Sequence, residues 1–275
     1  MYPLRHALTA SRNLFNFRRS NVPALYKPKT DSFFSPILAL VATIPIFTFG
    51  LGIWQLKRLK WKVNLIDELE EKLQLDPLHL PLRVNLKVLP EFTWRKVYAK
   101  GVWDHAHTML VGPRVYNEQQ GFHVVTPLAR SDGSTVLVDR GFVTREGAKK
   151  FHFDNEDGEV EVLGMLRQSQ PKNFFTPANK PDEGIWYWTD VGAMAQYAGG
   201  SEVGVQPVFI EEVFDGNAGE AKGRVEHGIP LGRPATVDLR NAHLSYVITW
   251  FGLSAFTSFM LVRRRLSIDI EPFAG

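Results

Sequence analysis

The chain has 275 residues, of which 44% are hydrophobic, with a formal net charge of +3 and a sequence pI near 9.0. A mean hydropathy of −0.14 is too polar for a multi-span transporter, so the apolar residues must be concentrated in a few segments. The absence of cysteine excludes a disulfide framework, a thiolate metal site, a cysteine-based copper carrier and a thiol oxidoreductase.

The first 32 residues are rich in basic side chains and contain no acid before Asp31. This composition is typical of a mitochondrial targeting segment, and the alternative is a cytoplasmic tail of bacterial type. We predict a targeting segment over residues 1–32. Since the basic residues cluster here and at the ends of two apolar runs, membrane topology explains the positive charge better than nucleic-acid binding does.

The first apolar run covers residues 33–56 and is long enough to form a membrane-spanning helix. Thr48 and Gly52 give it a small-residue face that could meet another helix. Beyond it, apolar residues recur every three or four positions up to Leu73, which predicts an amphipathic helix that continues the span until Asp76 and Pro77. The junction fits an interfacial anchor better than a ligand site and comprises Trp54, Gln55, Arg58 and Lys62.

Residues 57–242 are predicted to form one compact domain with its own core. Short β-branched and aromatic runs separated by turns predict strands, and the turn at residues 131–134 joins two of them in a hairpin. The sum is an antiparallel sheet, curled or closed as a small barrel. The predicted strands cover residues 97–103, 108–111, 121–128, 135–143, 160–166, 185–189 and 208–213. A short helix is predicted over residues 190–197 and a loop over residues 215–234.

The second apolar run carries no charge over residues 244–262 and, at ~1.5 Å per residue, reaches about 28 Å. We predict a second span over residues 243–262, followed by a tail over residues 263–275. Gly252, Ser254, Ala255 and Ser258 provide small surfaces for a partner helix. His243 stands at the entrance, with Tyr246 and Trp250 on the same helix face.

The orientation of the two spans follows from their flanking charges. Arg263, Arg264 and Arg265 and the basic N-terminal segment place both termini in the mitochondrial matrix, so the domain faces the intermembrane space. The basic cluster just after the first span opposes this orientation. We expect a two-span, α+β membrane protein of the inner membrane, in which two helices flank a mainly antiparallel β domain.

Five sequence motifs follow one another along the chain between residues 50 and 254. They are G-L-G-I-W-Q-L-K-R-L-K-W-K at residues 50–62, V-G-P-R at 111–114, the hairpin G-F-H-V-V-T-P-L with V-L-V-D-R-G-F-V at 121–128 and 136–143, W-Y-W-T-D at 186–190, and R-N-A-H-L-S-Y-V-I-T-W-F-G-L-S at 240–254. Together they resemble the Surfeit locus protein 1 family. The segment at residues 228–238 and Ala242 depart from the pattern that we expect of the family.

The resemblance implies a non-enzymatic, chaperone-like factor that assembles cytochrome c oxidase, respiratory complex IV. It also implies help with haem a delivery or insertion into the largest core subunit, and partners among the oxidase subunits, other assembly factors, haem a synthesis proteins and the lipid bilayer. In bacterial relatives a histidine at the start of the second span is implicated in haem a binding, and His243 matches that position.

Haem a suits an interfacial histidine, because its iron accepts a neutral imidazole, its tail prefers lipid and its propionates prefer water and cations. In this hypothesis His243 binds the iron, Tyr246 and Trp250 cover the ring and Arg240 meets a propionate. The alternative is that His243 only caps the helix or lies at headgroup level. The chain would then be a structural tether for oxidase subunits.

The other histidines indicate less. His105, His107 and His123 could suggest a metal site, but the pattern lacks a recognisable third-ligand spacing, and a solvated strand end is the stronger interpretation. A membrane-anchored hydrolase using Asp104, His107 or Asp139 is an alternative of another class. No zinc-protease, serine-hydrolase, phosphate-loop or dinucleotide motif occurs, so enzyme activity has no support in the sequence.

Overall fold

The computed structural model of the chain describes residues 36–150, 158–239 and 241–270, and it divides into two compact units. The predicted targeting segment over residues 1–32 lies outside the described residues. One unit contains the helical residues up to Gly52 and from Ile248 onward, and the other contains residues 53–247.

Among the residues that the structure describes, two helices are long and apolar enough to cross a membrane. Helix α1 is Pro36–Gln74, and helix α5 is His243–Ile270. Their candidate spans, Ala39–Gln74 and His243–Arg264, have a mean hydropathy of 1.7 and 1.5, and only 17% and 11% of the apolar window is buried. Such exposure is unlike that of a core helix in a soluble protein and fits a lipid-facing surface. Helix α1 runs unbroken past the first predicted span, as the amphipathic pattern predicts.

In the first unit the spans meet through small residues, as predicted. Thr48 and Ser254 are 3% and 7% exposed, and the Ser254 hydroxyl donates to the Pro45 carbonyl at 2.9 Å. Gly52 lies against Phe251, since a Cβ at Gly52 would stand 2.6 Å from the ring. A Cβ added at Gly252, by contrast, would meet nothing within 4 Å. Among the small residues predicted on α5, Ser254 is therefore the one that α1 buries.

The second unit is built on a small closed barrel of five strands. The strands of this unit are β1 Leu78–His79, β2 Lys96–Trp103, β3 Met109–Tyr116, β4 Gln119–Ala129, β5 Thr135–Thr144, β6 Glu159–Arg167 and β7 Val205–Glu212. The barrel strands pair in the order β2, β6, β7, β5 and β4, and the β4–β2 pairs Val102↔Ala129 and Trp103↔Leu128 close the ring. All pairs in the ring are antiparallel except β5–β7, which is parallel.

Successive side chains along each strand point to opposite faces of the sheet, so one set packs inside the barrel and the other packs outside it. On β5, Val136 and Val138 pack inside the barrel, whereas Leu137 packs outside beneath helix α3, which is Val191–Tyr197. Asp190 caps α3 by accepting from the Ala193 amide at 3.1 Å. Because both faces of β5 are covered, its positions Val136 to Val143 are all buried.

Two local predictions are wrong. Residues 185–189 form isolated bridges and not a strand, because Trp186 pairs with Val111 at a single position. The loop predicted at residues 215–234 contains helix α4, Ala218–His227, which Asn217 caps at its start and Gly228 ends in a left-handed conformation (φ 71°). The prediction is wrong because the glycines of this segment indicate a loop, although the helix has a cap at each end. A further short helix, α2 Arg145–Lys150, follows β5.

Candidate functional site

The predicted site residue His243 is the first residue of α5 and pairs with a side chain of α1. Its Nδ1 lies 2.7 Å from Oε1 of Gln55, which is 188 positions earlier in the chain and only 8% exposed. The backbone amide of His243 donates to Oδ1 of Asn241 at 3.3 Å. The histidine is therefore held both at its backbone and at one ring nitrogen.

The partner of the ring nitrogen decides which tautomer His243 adopts. A carboxamide oxygen can only accept, so Nδ1 of His243 must carry the hydrogen. In the neutral imidazole the lone pair then resides on Nε2, which is the atom available to a metal ion. Donation from the second ring nitrogen to an oxygen is also how metal-binding histidines are commonly oriented. The donor set at this junction therefore fits an imidazole ligand to haem iron.

Two of the other predicted haem residues lie on helix α5 after His243. Tyr246 is 53% exposed and Trp250 is half-buried, both on the continuous helix α5 at three and seven positions after His243. Their predicted contact with a haem ring stays a prediction. Arg240 lies outside the described residues. Gln55, which the sequence assigns to an interfacial anchor, joins the site through a contact between distant residues that no local pattern reveals.

A second group of titratable residues lies on the outer side of the barrel. Nδ1 of His123 lies 2.8 Å from Oδ2 of Asp139, whose other oxygen accepts from the Gly141 amide at 2.9 Å. Asp139 is paired in register with Glu211 across the parallel β5–β7 contact. Glu211 in turn lies 3.2 Å from Nε of Arg167 and 4.0 Å from Nη1 of Arg233.

Burial and neighbouring charges shift the pKa values in this group. Burial lowers the pKa of His123, but attraction to Asp139 and their hydrogen bond outweigh it, so the pKa is raised overall. Burial raises the pKa of Glu211, although Arg167 and Arg233 act against it. These side-chain contacts link the neighbouring strands β4, β5, β7 and β6 on the outer side of the barrel.

The three residues named for the hydrolase alternative do not form one cluster. His107 pairs with Asp104 at 2.6 Å, whereas Asp139 pairs with His123. Within the described parts of the chain, no group of three or more histidine, aspartate or glutamate side chains could hold a metal ion. The two histidine–aspartate pairs are thus separate local contacts, the first in the connection between β2 and β3 and the second between β4 and β5.

Comparison with known proteins identifies relatives along most of the chain. The model of the SURF1 family matches residues 43–255, which include both Gln55 and His243. Surfeit locus protein 1 of Homo sapiens is 35% identical over 261 residues, covering 87% of this chain and 80% of the relative. The SURF1-like protein of Monosiga brevicollis is 35% identical over 233 residues, covering 80% and 84%. The cytochrome oxidase assembly protein SHY1 of Saccharomyces cerevisiae is 27% identical over 288 residues, covering 82% and 74%.

Proposed function

The chain belongs to the SURF1 family, and we propose that it is an assembly factor for cytochrome oxidase. The observation that carries this proposal is the similarity to the yeast relative, which is named as a cytochrome oxidase assembly protein and matches 82% of the chain. That name describes the building of an enzyme and not a reaction of the relative itself. Two helices of spanning length support work at the membrane in which the oxidase is built.

The partner of an assembly factor is the unfinished complex. We expect the chain, isolated in mild detergent from cells that are synthesising oxidase, to bring down newly made largest core subunit together with other assembly factors. As a control, the isolation is repeated after synthesis of the largest core subunit has been blocked. The amount of subunit and assembly factors recovered with the chain should then fall. Recovery of mature oxidase alone, or of no oxidase subunit, would contradict the proposal.

The finer function is assistance with haem a delivery or insertion, with His243 as a transient iron ligand. Its support is the Gln55 contact at 2.7 Å to Nδ1, which places the lone pair of the neutral imidazole on Nε2. Haem a supplies an iron centre that an imidazole can bind when the group is present. The residues of this chain hold and orient that imidazole, and Tyr246, Trp250 and Arg240 would cover the ring and meet a propionate.

The test of haem a binding is the absorbance spectrum of the chain purified from cells that make haem a. The wild type should carry an a-type haem spectrum that His243→Ala loses. His227→Ala, which changes an exposed histidine of α4, should keep it. If neither protein carries haem and His243→Ala leaves oxidase assembly normal, the chain is a structural tether and the ligand proposal is wrong.

We further propose that the chain resides in the mitochondrial inner membrane with both termini in the matrix and the β domain in the intermembrane space. The support is the basic N-terminal segment and the three arginines at residues 263–265, which follow the uncharged run of residues 244–262 within α5. Because the chain has no cysteine, Glu202→Cys would give the domain one unique thiol. A membrane-impermeant thiol reagent should label it once the outer membrane is opened, and labelling only after detergent would reverse the orientation.

A further inference from the structure

One loop of the barrel domain is fixed at both ends to the same short segment. This phenylalanine loop covers residues 170–179. At its start the Gln170 amide donates to the Thr189 carbonyl at 3.2 Å, and at its end Oδ1 of Asn179 accepts from the amides of Tyr187 at 2.8 Å and Trp188 at 3.2 Å. The short segment that makes these hydrogen bonds covers residues 187–189. It follows Trp186, whose side chain is 1% exposed and packs in the core outside the barrel.

The tip of the phenylalanine loop exposes two adjacent aromatic rings. A turn closed by the Thr176 amide and the Asn173 carbonyl, 3.0 Å apart, presents Phe174 and Phe175. Their exposed fractions are 93% and 87%, the highest among the large hydrophobic residues that the structure describes, and their rings meet edge to face with centroids 5.4 Å apart. Exposure of two whole rings is unfavourable in water, so this tip is expected to contact an apolar medium.

The loop that carries the rings has a positive net charge. The sequence from residue 168 to residue 181 contains Lys172 and Lys180 and no acidic residue. Lys180 is paired with Glu183 at 3.0 Å, which leaves the exposed Lys172 as the cation nearest to the rings in sequence. Cations beside exposed aromatic rings favour an anionic lipid surface, where the rings enter the headgroup region and the cation meets lipid phosphate.

The area of the tip distinguishes a lipid surface from a protein partner. An aromatic side chain buries about 150–250 Å², so the two rings offer about 300–500 Å². A stable protein interface needs about 800 Å² on each partner. Insertion into lipid needs only the rings, and a domain covalently joined at both ends to spanning helices meets the bilayer at a high effective concentration. We propose that the phenylalanine loop inserts into the headgroup region of the bilayer that anchors the chain.

A cysteine-directed probe tests this contact, because the native chain has no other thiol. Asn173→Cys in the full chain places a polarity-sensitive fluorophore beside the intact rings, and the protein is reconstituted into anionic vesicles whose lipids carry a nitroxide on the acyl chain in both leaflets. We expect a blue-shifted emission and at least threefold stronger quenching than at the control site Glu202→Cys. Adding Phe174→Ser and Phe175→Ser to the Asn173→Cys protein should reduce quenching to the control level.

Several outcomes would overturn the proposal. One is quenching at residue 173 equal to that at residue 202, and another is quenching that persists after both rings are replaced. A blue shift without quenching by the lipid nitroxide would mean that protein covers the tip. Replacement of anionic by zwitterionic lipid should weaken the quenching, since Lys172 then loses its counter-charge. Because the substituted side chains are exposed, the thermal unfolding temperature should stay within about 2 °C of the parent and so report correct folding.

Discussion

The hydrogen bond between Gln55 and His243 joins one buried side chain of α1 to the first residue of α5. At 2.7 Å it specifies which nitrogen of the imidazole is protonated. A neutral hydrogen bond of this kind contributes about 0.5–1.5 kcal/mol, which corresponds to a preference of roughly two- to tenfold between tautomers. That is enough to direct the lone pair of most molecules to Nε2.

Replacement of Gln55 by leucine should remove the tautomer preference of His243. Nitrogen NMR of the imidazole is expected to report mainly protonated Nδ1 in the wild type and a mixture of tautomers in Gln55→Leu, because leucine cannot accept a hydrogen bond. Gln55→Glu keeps an acceptor at this position, so Nδ1 should stay protonated in that variant. A wild-type spectrum with Nε2 protonated would contradict the assignment of the site.

The His123–Asp139 pair should make the stability of the barrel depend on pH. Since the pKa of His123 is raised in the folded state, its contribution is fully present below about pH 6.5 and is lost as pH rises through the folded pKa. His123→Gln should therefore cost about 1–3 kcal/mol below pH 6 and clearly less above pH 8. Thermal unfolding at both pH values measures this, and an equal cost at the two values would contradict the charged pair.

At the scale of elements, the contact between the spans depends on Gly52. A Cβ there would stand 2.6 Å from the Phe251 ring, whereas a Cβ at Gly50 would meet nothing within 4 Å. Gly52→Leu is expected to overpack the contact and destabilise the helix pair by about 1–3 kcal/mol, and Gly50→Leu should be nearly neutral. Unfolding in detergent by increasing denaturant would reveal the difference. Equal stability of the two variants would mean that the helices do not pack through this face.

The extent of correct prediction differs among elements for physical reasons. Local periodicity predicts strands β2, β4, β5 and β6, the short helix α3 and both long helices. The closing pairs between β2 and β4 and the parallel β5–β7 contact join residues far apart in the chain. The same is true of Gln55 and His243. Local patterns specify an element and its faces, but they do not specify which distant element covers those faces.

For the whole molecule, the spans predict firm retention in the membrane. Alkaline carbonate should leave the chain in the pellet, and only detergent should release it, because the two apolar helices have most of their surface outside the protein. A soluble marker of the same compartment controls for opening of the membranes. Release of the intact chain by alkali alone would show that these helices are covered by protein.

The central claim is that the chain is needed to build cytochrome oxidase, and the most direct test is the oxidase content of cells depleted of the chain. The measurement is oxidase activity relative to another respiratory complex in the same membranes, before and after the wild-type chain is restored. We expect the ratio to fall severalfold on depletion and to recover with the wild type. An unchanged ratio after complete depletion, or an equal loss of both complexes, would contradict the proposed function.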